Sequence, residues 1–208
     1  MQKFLTKMVS IYYYLYLVKL KVETYDMDET ELILKFKQGD KFAFRQLVEK
    51  YQDSVINTCY RFLRNKEEAE EVAQEVFLKV YLSFNTYQPK TKFSTWLFKI
   101  VMNSCLNKLR DKKKFSLSRL DEDLHASSEN QPDKSLEQEE LRMLVRNAVD
   151  SLPENQRTVI LLNQYENFSY QDMAKILDCS VSAIESRLFR AKESLRTKLS
   201  QYIKKDII

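Results

Sequence analysis

The sequence predicts an all-α fold: two small helical bundles joined by a flexible acidic linker, the second bundle being a helix-turn-helix domain. Of the 208 residues, 31% are charged and one is a glycine, and such a composition favours long helices over sheets. Apolar residues recur at helical spacing through most of the chain. Residues 115–135, rich in Ser, Asp and Glu and without periodicity, interrupt them and predict the linker.

These patterns divide the chain into a leader over 1–26, a first domain over 27–114, the linker over 115–135 and a second domain over 136–202. The leader is apolar and rich in tyrosine, but it is too interrupted to predict a membrane span, and no signal-peptide cleavage site follows it. Our hypothesis is that translation begins at Met27. The alternatives are a poorly ordered appendage and, less favoured because a basic polar face is missing, an interfacial membrane helix.

The first domain is expected to begin with three helices. The first covers about 28–36, and Gly39 suits its C-terminal cap. The second carries a buried stripe over 44–62, where apolar residues occupy i, i+3, i+4 and i+7 positions. Asn65 can cap the third helix, over 67–81, whose early acidic residues favour the helix dipole.

A loop over 85–92, broken at Pro89, separates the third helix from a fourth. The fourth helix is expected from about Ser94 to Arg110, and the lysines that follow suit a helix C-terminus. We interpret Trp96 as a core anchor of this helix.

In the second domain, one helix should stop before Pro153 and the next should cover 154–165. The remaining stretch predicts a helix-turn-helix. Ser169 can cap its first helix as part of a capping box, and Ser180 can cap its second. Asp178 falls in the turn, where a positive φ is expected and where Asp is better tolerated than most side chains.

The second helix of this motif has an apolar inward face and a polar, cationic outward face. Such a helix lies in the DNA major groove and reads base edges with its N-terminal half. By residue type, Glu185 can accept from cytosine N4 and Phe189 can touch a thymine methyl, while arginines neutralise phosphates or reach guanine. The alternative is a solvated basic surface. The candidate duplex-reading residues are Ser182, Glu185, Ser186, Arg187, Phe189 and Arg190.

Composition argues against several kinds of chemistry. The three cysteines are far apart in sequence and odd in number, which suggests neither a disulfide framework nor a metal site. His125 is the only histidine, so zinc or triad chemistry lacks its residues, and the shortage of glycine argues against a phosphate-binding loop. We expect no catalytic residue, metal or cofactor, and a reducing, cytoplasmic location. With a net charge of +4, nucleic-acid contacts depend on local clusters of cations.

Two further surfaces allow two interpretations each. The acidic helix around Gln74 and Glu75 is either a solvated face or a docking surface for a basic partner. The loop over 85–92 and the helix after it combine aromatics, amides and cations, a mixture that suits single-stranded DNA. Asn103 and Asn107, four residues apart on one face, can read a base or can simply be hydrated amides.

Four motifs in a fixed order resemble those of a known family. They lie at 67–77, 93–103, 151–157 and 182–192, the first two before the acidic linker and the last two after it. This arrangement resembles the bacterial sigma-70 family in its extracytoplasmic-function (ECF) group, and the resemblance covers roughly residues 28–199.

The resemblance implies a transcription initiation factor that acts on no small-molecule substrate. Its first domain would bind core RNA polymerase and open the minus-ten promoter element, and its second would bind the minus-thirty-five element as duplex. The linker would run toward the polymerase active centre, and an anti-sigma factor, often membrane-bound in this family, is the expected inhibitor. The residues that would bind the polymerase are Glu71, Gln74 and Glu75. The pocket for a flipped base of the melted element would be formed by Tyr87, Gln88, Ile100, Asn103 and Asn107.

The sequence departs from the family pattern in three places. Asp178 stands where many members have glycine, Glu185 stands where a basic residue is common, and the leader before Met27 has no counterpart. The second function considered is a stand-alone helix-turn-helix regulator whose first domain senses a signal or dimerises. A helical adaptor without a DNA role is the third, and the recognition helix disfavours it.

Overall fold

A computed structural model describes residues 28–118 and 136–203, with the side chains of 116–118, 136–140 and 201–203 left out. Every regular element in these ranges is helical, which confirms the predicted all-α class. The chain separates into two compact units, Met1–Asp121 and Glu122–Ile208. The predicted leader and most of the predicted linker lie outside the described residues.

The first unit is a bundle around α2. Its helices are α1 (Glu29–Lys37), α2 (Lys41–Leu63), α3 (Lys66–Ser83) and α4 (Phe93–Ser118), with a 3-10 turn, Phe84–Thr86, after α3. α2 packs against the other three helices, and α3 also packs against α4. The stripes predicted from periodicity form the core, which includes Leu47, Val55, Cys59 and Phe62 of α2, Ala69, Val72, Val76 and Val80 of α3, and Leu97, Phe98, Val101 and Met102 of α4.

Two predicted caps of the first unit are confirmed. Gly39 has φ +95° and its N–H donates to the Phe36 carbonyl oxygen at 2.9 Å, and Asn65 Oδ1 accepts from the Glu68 N–H at 2.9 Å. A third cap was not predicted. Asp40 Oδ1 accepts from the N–H groups of Phe42 at 2.8 Å and Ala43 at 3.4 Å, and so begins α2.

Helix α4 is longer than predicted: it continues past Arg110 to Ser118, into the first residues of the predicted linker. Two lysines of α4 bind acids of α3, and the second of them lies in this added part of the helix. Lys108 Nζ lies 2.7 Å from Glu71 Oε2, and Lys112 forms an ion pair with Glu68. Since lysine also has good helix propensity, the helix is favoured beyond the point at which its apolar periodicity ends.

Aromatic rings pack together where the loop after α3 meets the start of α4. The Tyr87 ring lies 5.6 Å from that of Phe93 and 5.3 Å from that of Trp96, and Phe84 lies 6.1 Å from Trp96 in an edge-on arrangement. We call Phe84, Tyr87, Phe93 and Trp96 the aromatic cluster. Trp96 is half-buried in it, so its predicted anchoring role is supported, although one part of its surface remains accessible.

The second unit contains α5 (Leu136–Asp150), α6 (Glu154–Tyr165), α7 (Tyr170–Leu177) and α8 (Val181–Ile203). α8 packs against the three other helices. Its core includes Val159 and Leu162 of α6, Met173 and Ile176 of α7, and Ile184, Leu188 and Ala191 of α8. α8 is therefore the central helix of this unit, and one side of it is held in the core.

Two cysteines that are distant in sequence meet in space. Cys59 of α2 and Cys105 of α4 are fully buried, and their sulfur atoms are 3.6 Å apart. The prediction of small buried residues is confirmed for this pair, but separation along the chain gave no sign of the contact. The hydrogen bond shared with Cys105, together with burial, raises the pKa of the Cys59 thiol well above its ordinary value.

We therefore expect Cys59 to resist alkylation in the folded protein. The thiolate is the reactive species, and a raised pKa keeps Cys59 protonated at pH 8. Iodoacetamide treatment of the native protein followed by peptide mass spectrometry should find Cys179, which is only half-buried, labelled first. Unfolding in guanidinium should expose all three cysteines to labelling. Native labelling of Cys59 at the rate of Cys179 would contradict the packed thiol pair.

Candidate nucleic-acid interface

The turn between α7 and α8 sets the direction of α8. Asp178 adopts φ 53° and ψ 50°, the left-handed conformation predicted for it. The Cys179 N–H donates to the Ala174 carbonyl oxygen at 3.0 Å, and so closes the C-terminus of α7. Ser180 Oγ then accepts from the Ala183 N–H at 3.2 Å, which confirms Ser180 as the cap of α8.

The cap of α7 is also confirmed. Ser169 Oγ accepts from the Asp172 N–H at 3.1 Å and donates to Asp172 Oδ2 at 2.7 Å. Asp172 is buried, so the pair fastens the start of α7 to the unit as well as satisfying a backbone donor. The orientation of α7 is therefore fixed at both of its ends.

α8 has the two faces predicted from its sequence. Its inward residues Ile184, Leu188 and Ala191 are buried. Phe189 is 69% exposed, which is unusual for a phenylalanine on a helix that has a packed core available to it. The outward surface, a term used from here on for the exposed N-terminal half of α8, consists of Ser182, Glu185, Ser186, Phe189 and Arg190.

Arg187 is placed differently from the other predicted duplex readers. It is half-buried, and its Nη1 lies 3.6 Å from Cys179 Sγ, so its side chain reaches back over the turn. Further along the helix, Lys192 is exposed and the Arg196 side chain is 81% exposed, with its Nη1 4.0 Å from Glu193. α8 thus carries cationic side chains, Arg187, Lys192 and Arg196, in addition to the outward surface.

In the first unit, α4 brings three of the predicted base-pocket residues to one side. Ile100, Asn103 and Asn107 follow one another at i, i+3 and i+7 positions; Ile100 is half-buried and both asparagines are exposed. Asn107 Oδ1 accepts from Arg110 Nη1 at 3.1 Å. This side of α4 therefore carries one apolar side chain, Ile100, followed by two exposed amide groups. The amide of Asn107 is already oriented by Arg110.

The two loop residues of the same predicted pocket differ in their burial. Gln88 is exposed, whereas Tyr87 is buried in the aromatic cluster and its hydroxyl donates to the Thr91 carbonyl oxygen at 2.8 Å. Burial and the nearby Glu29 carboxylate raise the pKa of Tyr87. As placed, Tyr87 anchors the loop through its ring contacts with Phe93 and Trp96, and its part in the pocket for a flipped base stays a prediction.

Predicted polymerase-binding residues occupy one face of α3. Glu71 accepts from Lys108 Nζ of α4 at 2.7 Å, and Glu75 Oε2 lies 3.6 Å from Lys79 Nζ, which also donates to Ser104 Oγ at 3.0 Å. The hydrogen bond to Glu71 raises the pKa of Lys108. Gln74, between the two acids, is half-buried.

The sequence pattern did not predict the contacts of Lys79 and Lys108. Nothing in the spacing of Lys79 or Lys108 along the chain shows that they connect α3 to α4. Only their positions on facing helices, once the bundle is assembled, make the connection visible.

Within 28–118 and 136–203, no group of three or more His, Cys, Asp or Glu side chains is arranged to hold a metal ion. A separate finding is that no helix in the described part of the chain has the length and apolar character needed to cross a membrane.

Both units match known families. Residues 47–115 match the family described as Sigma-70 region 2, and residues 142–195 match that described as Sigma-70, region 4. The chain is 33% identical to the RNA polymerase sigma-H factor of Pseudomonas aeruginosa, over 83% of this chain and 93% of that protein. It is 32% identical to the ECF RNA polymerase sigma factor SigW of Bacillus subtilis, over 80% and 94%.

Solved structures share the fold. CnrH in complex with the cytosolic domain of CnrY superposes with a TM-score of 0.63 at 23% identity, covering 83% of this chain and 97% of CnrH. RpoE of Bartonella quintana in complex with the anti-sigma factor NepR gives a TM-score of 0.61 at 22% identity, covering 76% and 96%. With both regions matched in order and relatives of this similarity aligned over nearly their full length, the chain belongs to the sigma-70 family of RNA polymerase sigma factors, in its ECF group.

Proposed function

We propose that this sigma factor binds core RNA polymerase, recognises the minus-ten and minus-thirty-five promoter elements, and promotes DNA opening. The observation that carries the proposal is the outward surface of α8, on a helix whose other side is held in the core of a region 4 domain. The chain would supply no catalytic residue, since the polymerase performs the chemistry. It would act in the cytoplasm, where that polymerase is found.

The second unit would read the minus-thirty-five element as duplex. α8 would enter the major groove with its N-terminal half, where the outward surface lies. Ser186 and Arg190 would contact base edges, and Phe189 would contact a thymine methyl group. Arg187, although half-buried, would remain near enough to the surface to contribute positive charge toward phosphates.

The first unit would hold the melted minus-ten element. A base pulled from the stack needs an apolar wall and polar groups along its exposed edge. Ile100 would supply the wall, and Asn103, Asn107 and the exposed Gln88 would supply the polar groups. Tyr87 would act through the aromatic cluster, by holding the loop that presents Gln88.

The acidic face of α3 would bind the polymerase. Glu71 is held by Lys108, whereas the Glu75 side chain is 56% exposed, and among the described residues its ion pair is the long one to Lys79 on its own helix. A basic surface on the polymerase would compete easily with such an exposed pair, because exposed pairs contribute little stability. Gln74 and Glu75 would therefore make the main contact, with Glu71 at its edge.

The proposed domains are the region 2-like part over 27–114 and the region 4-like part over 136–202, with the linker over 115–135 running toward the polymerase active centre. RpoE of Bartonella quintana was solved with an anti-sigma factor, which supports an anti-sigma partner for this chain too. A stand-alone helix-turn-helix regulator is not favoured, because residues 47–115 match Sigma-70 region 2 and such a regulator has no use for that domain.

Run-off transcription tests the proposal directly. Purified core RNA polymerase is combined with the full chain and a promoter library, and transcripts are identified by sequencing. We expect transcripts from a defined subset of promoters that depend on this protein. The proposal fails if the same transcripts appear without it, or if none appear with it.

Replacing Arg190 by alanine should weaken binding of the minus-thirty-five duplex by about 1–3 kcal/mol if the guanidinium contacts a base. Arg190→Lys is the matched control, because it keeps the charge but loses the planar fork. Polymerase holoenzyme binding to promoter DNA, measured against salt concentration, should show lost sequence preference in both variants and a reduced salt slope only in Arg190→Ala. Wild-type occupancy in Arg190→Ala would show that Arg190 is only a solvated side chain.

Asn103→Ala should slow promoter opening while leaving initial binding nearly unchanged, because Asn103 would meet a base only after the strands part. We expect a roughly 5- to 30-fold lower opening rate, the effect of one or two lost hydrogen bonds. Permanganate reactivity of unpaired thymines measures opening over time. Asn57→Ala, an exposed asparagine of α2, serves as the control. Equal opening rates in both variants would count against the pocket.

Charge reversal at Glu75 should weaken core polymerase binding by at least about tenfold, because like charges facing each other across an interface cost several kcal/mol. Glu31→Lys, an equivalent reversal on α1, should have little effect. Competition against a second sigma factor for limiting core enzyme gives both affinities. If Glu75→Lys competes as well as Glu31→Lys, this face of α3 is not the docking surface.

A further inference from the structure

Glu185 is an acid on the surface that is proposed to bind DNA, a polyanion. It is exposed, and it lies between Ser182 and Phe189 on the outward surface. Across residues 28–118 and 136–203, the structure shows no cation within ion-pair distance of its carboxylate and no hydrogen bond to it. Its charge is therefore not already neutralised by the protein.

Such a carboxylate opposes DNA binding unless DNA offers it a donor. Phosphates repel it, and Arg190, five residues along the helix, is not paired with it. In the major groove, guanine presents only acceptors, and thymine presents an acceptor and a methyl group. A glutamate at this position therefore disfavours guanine and thymine, because its carboxylate oxygens would face hydrogen-bond acceptors on those bases.

The two remaining bases, adenine and cytosine, differ in the groups that lie beside their amino donor. Adenine N6 lies between two acceptors, N7 of the same base and O4 of the paired thymine, whereas cytosine N4 has an acceptor on one side only, O6 of the paired guanine. A carboxylate, which can only accept, is thus best matched by cytosine. An amide, which both donates and accepts, is best matched by adenine.

We propose that Glu185 is a specificity-determining residue that selects cytosine at one position of the minus-thirty-five element. The inference rests on the proposed function and adds a base identity to it. Phe189 lies one turn further along α8, about 6 Å along the helix axis. Because stacked base pairs are about 3.4 Å apart, the thymine contacted by Phe189 falls within about two base pairs of that cytosine.

The test is a transcription assay with holoenzyme assembled from core polymerase and the full chain, on promoters whose minus-thirty-five element is randomised. Wild-type protein should enrich cytosine at one position by roughly 5- to 150-fold over guanine or thymine. Glu185→Gln should move the preferred base at that position to adenine, and Glu185→Ala should leave no strong preference there. Glu193→Gln, an exposed acid in the C-terminal half of the same helix, should keep cytosine.

The outcomes separate the two claims. Identical base rankings for wild type, Glu185→Gln and Glu185→Ala would overturn the role of Glu185 and leave the sigma-factor function standing. A change at several scattered positions, rather than at one, would also overturn it, because that result indicates a shifted helix. Failure of wild-type protein to direct any transcript would instead overturn the proposed function itself.

Discussion

The reversal of the chain at Asp178 is the constraint on which the DNA-reading surface depends. A non-glycine residue in the left-handed region is uncommon, and here it is held by the Cys179 N–H bonded to Ala174 and by the cap at Ser180. Arg187 covers the same turn through its contact with Cys179. If the turn relaxed, α8 would rotate about its start, and its reading residues would no longer face the groove together. The proposed reading surface thus depends on three local interactions at one turn.

In the first unit, α4 has to keep one face packed in the core and another exposed to solvent, where Asn103 and Asn107 lie. Apolar packing against α2 and α3 provides the first requirement, and polar contacts from α3, Lys79 to Ser104 and Glu71 to Lys108, fix the rotation of the helix. Two consequences follow. Asn103 and Asn107 are presented at a fixed angle, and the same network includes the acids proposed to bind the polymerase. The proposed docking face and the proposed base pocket therefore lie on two helices that this network joins.

Local rules predicted local features well. Helical spacing identified the buried faces of α2, α3 and α8, and residue type identified the caps at Asn65 and Ser180. Apart from the local cap at Asp40, the features that were not predicted depend on contacts between different elements of the chain. The burial of Tyr87 requires Phe93 and Trp96 around it, the thiol contact requires α2 to face α4, and the length of α4 depends on acids of α3. Periodicity carries no information about which element lies opposite.

The aromatic cluster has a spectroscopic consequence. Trp96 is the only tryptophan of the chain, and it lies half-buried against the ring of Tyr87, beside the loop that carries Gln88. Emission excited at the red edge of indole absorption therefore originates from this one corner of the first unit, without labelling. A change in the polarity around that loop would therefore change the emission of the protein.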